Sequence, residues 1–171
     1  MNIALTGSSG LIGSMLVDDL KKAGHKVLCI SSSHSFHKEN IYSYEEVISK
    51  KISLKVDCVL HLASINSNLH ESEISDELSL SQKAIDSMIA LDCKKIIFFS
   101  SIKVYGSNSF ENKEFTEESI LKPKCSYGIA KKRCEDLIIK EALIENFNSL
   151  ILRLPPLLLS HSKSNLGKLF L

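Results

Sequence analysis

Two kinds of apolar pattern alternate along this chain: short runs with hardly a polar residue, and longer stretches where apolar residues recur every three or four positions. The first kind reads as strands covered on both faces, the second as amphipathic helices. Ile3, Ala4 and Leu5 open the chain as a strand, and residues 11–23 follow as a helix closed by Gly24, a C′ glycine. Residues 26–30 form a second strand, and 31–40 a polar loop. Ser43 followed three residues later by Glu46 is a capping box, which predicts a helix over 44–54. Residues 57–63 are a third strand, unalternating and therefore buried. Ile74, Leu78, Ile85, Met88, Ile89 and Leu91 place a long helix over 72–92. Residues 95–100 are an unbroken apolar strand, followed by a long polar loop. The spacing then predicts a helix over 126–146, with Ala130, Cys134, Leu137, Ile138, Ala142 and Leu143 on one side. A last strand over 150–154 is stopped by Pro155 and Pro156, which cannot continue a ladder, and a short helix begins near Ser164.

Strands alternating with helices imply an α/β fold, a doubly wound parallel sheet in three α/β/α layers. At 171 residues one domain is expected. A net charge of +1 and the lack of a polybasic tract argue against nucleic acid and anionic membrane surfaces as partners, which leaves a small molecule. No apolar stretch reaches the length of a membrane span and the start lacks a secretory leader pattern, so a cytoplasmic protein is expected. The five cysteines and six histidines show no metal-ligand spacing, so no metal site is expected and the thiols are read as reduced.

Chemistry enters at the C-terminal strand ends, where doubly wound sheets bind ligands. After the first strand, Gly7, Gly10 and Gly13 are spaced by threes and open a helix. Glycines allow a tight turn and close approach of backbone to a pyrophosphate, and a helix N-terminus offers free N–H groups to an anion. Ala63 and Ser64 follow the third strand, and Ser100 and Ser101 end the fourth. Tyr127 and Lys131, four apart, share one helix face. A nearby ammonium favours phenolate, and lowering a tyrosine pKa by about three units requires about 4 kcal/mol. Lys131 in a dry crevice, beside a cationic nicotinamide, is expected to supply that.

Five stretches in this order carry a resemblance: Thr6-Gly7-Ser8-Ser9-Gly10-Leu11-Ile12-Gly13, His61-Leu62-Ala63-Ser64, Phe99-Ser100-Ser101-Ile102-Lys103-Val104-Tyr105-Gly106, residues 123–131, and Leu152-Arg153-Leu154-Pro155-Pro156. The chain resembles the extended short-chain dehydrogenase/reductase family, the nucleotide-sugar epimerases and dehydratases. The resemblance implies a Rossmann-like domain binding NAD(P) through Gly7, Ser9, Gly10, Leu11, Ile12, Gly13, Ser31, Ser32, Leu62, Ala63, Ser64, Tyr127 and Lys131. It implies Tyr127 as acid/base, Lys131 as ribose ligand and modulator of the tyrosine, and Ser101 as the hydrogen-bond partner of the reacting sugar oxygen, with Ser100 as the rival for that role. An epimerase is favoured over a dehydratase, because Ile102 and Lys103 stand where the family's dehydratases tend to carry an Asp-Glu pair.

The chain departs from the family in several places. Members usually carry a further hundred residues or more, much of it a substrate-binding domain, so 1–171 is read as the dinucleotide-binding domain with 157–171 as the start of that region. The chain alone is then expected to bind dinucleotide without useful turnover, since the walls that hold the sugar lie elsewhere. An Asp-containing strand that shapes the family's adenine pocket is represented here only by Ile41 and Tyr42. After the second strand stand Ser31, Ser32 and Ser33 instead of a carboxylate, with His34, His37 and Lys38 nearby, and NAD is not separated from NADP. The family's dimer, through the equivalents of helices 72–92 and 126–146, is plausible because both helices are present. The alternative to an enzyme is a non-catalytic NAD(P)-binding module acting as a sensor or partner.

Overall fold

A computed structural model describes residues 1–32, 40–50, 52, 54–66, 68–106 and 114–156. Six parallel strands, β1 (Asn2–Thr6), β2 (Lys26–Ser31), β3 (Ile41–Ser43), β4 (Cys58–His61), β5 (Lys95–Ser101) and β6 (Asn148–Leu154), form one sheet in the order β3-β2-β1-β4-β5-β6. The chain therefore winds outward from β1 in one direction and from β4 in the other. Connections leave β1 and β4 toward opposite edges, which opens a crevice between their C-terminal ends.

Successive residues of a strand point to opposite faces, and the buried set divides accordingly. Ala4, Leu28, Ile30, Val59, Ile96 and Phe98 pack beneath α2 (Tyr44–Ile48), α3 (Ile74–Ala90) and α4 (Ser126–Glu145). Ile3, Leu5, Val27, Cys29, Cys58 and Leu60 face α1 (Leu11–Lys22), which contributes Val17. The result is the three-layer α/β/α arrangement expected from the alternation of strands and helices.

Several boundaries differ from the sequence expectation for identifiable reasons. The capping box at Ser43 is made, with Glu46 N–H donating to the Ser43 hydroxyl at 3.1 Å and Ser43 N–H donating to the Glu46 carboxylate at 2.7 Å. Yet the helix runs only to Ile48, not to residue 54. Lys50 turns into the left-handed region (φ 56°), so that Ile52 and Val56 come back onto the core already occupied by Val47. Ile41 and Tyr42 do form a strand, which pairs with β2 through Ser43. β4 ends at His61, not at 63, because Leu62, Ala63 and Ser64 leave the ladder to line the crevice. On α4, Ala130, Cys134 and Ile138 are buried, but Leu143 is 82% exposed. Nine residues beyond Cys134 at about 100° each bring it to the opposite side of the helix. The Gly24 cap forms as expected, with φ +82° and His25 N–H reaching back to the Leu20 carbonyl at 3.0 Å. The short helix expected from Ser164, and the whole of 157–171, lie outside the described residues.

Ser43→Ala removes the acceptor of this box while leaving the β3 backbone intact. It should lower unfolding free energy by about 0.5–2 kcal/mol, read as a lower urea midpoint at unchanged slope.

Candidate functional site

The three glycines do different work. Gly7 sits at φ +78°, and a Cβ there would lie 2.6 Å from the Ala63 nitrogen, so the turn fits against the Ala63 backbone only because Gly7 carries no side chain. A Cβ at Gly13 would meet the Gly7 carbonyl oxygen at 2.1 Å, so the first turn of α1 rests directly on the loop. Gly10 is less confined: its conformation is extended, and a Cβ would sit 3.3 Å from the same oxygen. Gly10 is also the N-cap of α1, with no side-chain cap bond, and the first helical bond runs from Ser14 N–H to the Gly10 carbonyl at 2.9 Å. The N–H groups of Leu11, Ile12 and Gly13 precede that bond and have no partner within the helix. Their backbone donors are thus free of the helix's own hydrogen bonds.

The cleft beside this loop has a volume of about 580 Å³, ordinary for a small-molecule site. Of the residues expected at a cofactor site, Gly7, Ser9, Gly10, Ser31, Ser32, Leu62, Ala63 and Ser64 line this cleft, whereas Leu11, Ile12, Gly13, Tyr127 and Lys131 do not. Tyr44 and Lys83 also line it, and neither was singled out from the sequence. Tyr44 is 2% exposed and its hydroxyl completes no hydrogen bond among the described residues. Burial pushes its pKa up to about 12 and outweighs the neighbouring Thr6 side chain, which draws it the other way. Ser33, His34, His37 and Lys38 lie outside the described residues.

The strands flanking the crevice are locked together by a buried polar chain. Ala63 N–H donates to the Thr6 hydroxyl oxygen at 3.2 Å, the Thr6 hydroxyl meets His61 Nδ1 at 2.7 Å, and His61 Nε2 meets the Ser81 hydroxyl at 3.0 Å. His61 is fully buried and stacks on Phe98. Burial, reinforced by the charge of Lys131, lowers its pKa to about 3, so the ring is neutral and satisfied at both nitrogens. Its role is to tie β1, β4 and α3 together at the crevice.

The two serines at the end of β5 are treated differently. Ser100 is 4% exposed and donates to the Glu135 carboxylate at 2.5 Å. Glu135 in turn receives Arg153 Nε and Nη2, the latter at 2.8 Å, and Arg153 Nη1 donates to the Tyr105 hydroxyl at 2.9 Å. These bonds hold the Arg153 guanidinium well above its usual pKa. Ser100 is therefore consumed by a structural network. Ser101 is only half-buried, and its hydroxyl accepts the Lys103 N–H at 3.3 Å as the chain turns through residues 102–105.

Tyr127 lies in the first turn of α4, on the half-buried side that meets Leu69 and Ile74. Gly128 lets that turn approach the segment after Ser101, since a Cβ there would stand 2.6 Å from the Lys103 carbonyl oxygen. The Lys103 ammonium is 5.3 Å from the Tyr127 ring centroid and that of Lys131 is 5.6 Å from it. Of the two positive charges expected to lower the Tyr127 pKa, only Lys131 belongs to the chain itself. Lys131 does pull it down, but burial outweighs that pull and Glu77 opposes it, so the Tyr127 pKa is raised above 10. Lys131 itself is 2% exposed and pairs with Glu77 at 3.0 Å.

The cleft thus has beside it a glycine turn, an uncapped helix N-terminus and a buried Tyr44 hydroxyl that completes no hydrogen bond among the described residues. The NAD dependent epimerase/dehydratase family matches residues 3–168. The chain belongs to this family. It is 25% identical over 169 residues to UDP-glucose 4-epimerase of Vibrio cholerae, covering 89% of this chain and 50% of that protein. The UDP-N-acetylglucosamine 4-epimerase structure from Bacillus cereus superposes with a TM-score of 0.75 at 26% identity, covering 90% of this chain and 55% of that one. The UDP-glucose 4-epimerase of Thermotoga maritima, solved with UDP-glucose, gives 0.72 at 25% identity, covering 99% and 62%. The chain thus spans about half the length of the epimerase/dehydratase family members it matches. Among the described residues no helix is long and apolar enough to cross a membrane, and no group of side chains is arranged to hold a metal ion.

Because His61 takes up a proton far less readily folded than unfolded, the unfolded chain binds more protons between pH 6.5 and about 3. Stability from this group is complete above pH 6.5 and lost as pH falls through that window, by up to about 1.4 kcal/mol per pH unit. His61→Asn should flatten that part of the stability profile in urea titrations run at successive pH values.

Proposed function

We propose that this chain is the NAD(P)-binding half of a nucleotide-sugar epimerase of the cytoplasm, with residues 157–171 beginning a substrate-binding region. The observation that carries the reading is the glycine turn. Gly7 is required by the close passage of the loop after β4 and Gly13 by the packing of α1 on the glycine turn, whereas Gly10 is less confined and borders the cleft, where a diphosphate can approach the backbone and the N-terminus of α1. Ser31, Ser32, Leu62, Ala63 and Ser64 then border the adenosine and ribose portions, and Tyr44 gains a hydrogen-bond partner. The absence of a carboxylate at Ser31 and Ser32 is compatible with either NAD or NADP.

A bound nicotinamide supplies hydride acceptance and return at the sugar carbon. Tyr127 takes the proton from the sugar hydroxyl and gives it back, Ser101 hydrogen-bonds the same oxygen, and Lys131 binds the ribose and stabilises the ionised tyrosine. Ser101 is favoured over Ser100 because the Ser100 hydroxyl is committed to Glu135. Exposed Ile89 on α3, with Ile139, Leu143 and Ile144 on α4, supports a homodimer paired through these two helices. A second reading, a dinucleotide-binding module without turnover, is favoured by one observation: the resting Tyr127 is harder to ionise than a free tyrosine and Lys131 is tied to Glu77.

Two measurements test the proposal. In calorimetry, Gly10→Val should abolish NAD(P) binding with the circular dichroism spectrum unchanged, and unaltered affinity would remove the site. In a protein that contains this chain and epimerises a UDP-sugar, Tyr127→Phe should cut turnover by about 10²–10⁴-fold at nearly unchanged cofactor affinity. Turnover that survives Tyr127→Phe overturns the acid/base role given to Tyr127, whereas a wild-type protein that binds NAD(P) and converts none of the UDP-, GDP- and dTDP-sugars favours the module.

A further inference from the structure

Glu77 sits on α3 with 1% of its side chain exposed, and no residue pattern in the sequence marks it. Its carboxylate gathers three donors from two other parts of the chain. Oε1 accepts the Ser64 hydroxyl at 2.8 Å and the Lys131 ammonium at 3.0 Å, and Oε2 accepts the Ile65 N–H at 2.7 Å. Ser64 and Ile65 line the cleft, and Lys131 lies one turn beyond Tyr127 on α4. We propose that Glu77 is a positioning residue that ties the 62–65 loop of the cleft to the acid/base pair and, by claiming the Lys131 ammonium, keeps Tyr127 in its protonated, proton-donating form. The proposal rests on the assignment of Tyr127 and Lys131 made above and adds the residue that governs them.

The argument is one of competition for a single buried cation. Lys131 is enclosed by Glu77, the Phe98 ring at 5.0 Å and the Tyr127 ring, so its charge is balanced by whichever anion stands beside it. With Glu77 ionised that balance is met, and a phenolate at Tyr127 would be a surplus negative charge in a dry site. Remove the Glu77 charge and the phenolate becomes the counter-ion of Lys131. Burial pushes the Tyr127 pKa up, Lys131 pulls it down, and Glu77, Cys125 and Cys134 push it up. The Lys103 ammonium on the turn after β5 faces the ring as well, and His61 beside Lys131 is neutral. Among these groups Glu77 alone also holds the cleft loop, through Ser64 and Ile65. A ligand that draws the Ser64 hydroxyl to itself removes one of the three bonds that keep the carboxylate in place, which links occupancy of the cleft to the acidity of Tyr127.

The test is an alkaline titration of the ligand-free 171-residue chain, following phenolate absorbance, with the Tyr127 step assigned by difference from Tyr127→Phe. In the wild-type chain the step lies above pH 10. Glu77→Gln should move it down by at least one pH unit, a tenfold gain in phenolate at fixed pH, and hydrogen exchange at the Ile65 amide should speed up at least tenfold. Glu77→Asp keeps the charge but draws it back by one methylene, so it should shift the step in the same direction by less. An unmoved or raised step in Glu77→Gln overturns the proposal. Should Glu77→Gln fail to fold, Glu77→Asp decides: a step at the wild-type position overturns it. No dinucleotide enters this titration, so a chain that binds no NAD(P) leaves the Glu77 result standing, and an unmoved tyrosine leaves the cleft untouched.

Discussion

A methyl group at residue 13 would stand 2.1 Å from the Gly7 carbonyl oxygen, and the whole crevice depends on there being none. Backbone resting on backbone brings the start of α1, with its uncapped N-terminus, to the end of β1 beside the glycine loop that lines the cleft. The Cβ of Gly7 is missing for a matching reason, since the loop after β4 passes within 2.6 Å of where it would be. Two loops from the two halves of the sheet are thereby brought into contact at the point where the winding direction changes. The Thr6, His61 and Ser81 chain then fixes the strand ends that carry those loops.

On the far side of the crevice the organising element is α4, which carries two buried charges one turn apart. Lys131 pairs with Glu77 of α3, and Glu135 pairs with Arg153 of β6 while accepting the Ser100 hydroxyl. Buried pairs of this kind contribute little net stability, because desolvation offsets the attraction, but deleting one partner strands the other at a cost of about 3–5 kcal/mol. Their value here is positional. Ser100 of β5 and Arg153 of β6 meet on the Glu135 carboxylate and Lys131 of α4 meets that of Glu77, and both carboxylates are 1% exposed.

The elements and the glycine turn were legible in the sequence because each rests on local pattern: apolar runs for strands, periodicity for helices, Ser43 and Glu46 for a cap, Gly24 for a stop. What the pattern lacked was distance in space. Glu77, Glu135 and Tyr44 look like ordinary helix residues, and only the packing of α3, α4 and α2 against the sheet reveals that they are buried and what they hold or leave unpaired. The raised Tyr127 pKa escaped for the same reason. A Tyr-x-x-x-Lys spacing shows the attracting cation, but neither the burial of the phenol nor the competing carboxylate, which stands 54 residues before Lys131 in the chain. Gly128 was visible as a glycine in a helix, yet its purpose, close passage beneath the Lys103 carbonyl, exists only in three dimensions.

The pairing of Lys131 and Glu135 with partners on different elements has a mechanical consequence. A helix held by a single anchor can roll about its axis, but α4 is pinned one turn apart to α3 and to β6, so rolling would pull at least one ion pair open in a dry interior. The 62–65 loop is fastened differently, by hydrogen bonds from Ala63 to Thr6 and from Ser64 and Ile65 to Glu77, so a change of shape there breaks hydrogen bonds of the loop without opening either ion pair that holds the helix presenting Tyr127.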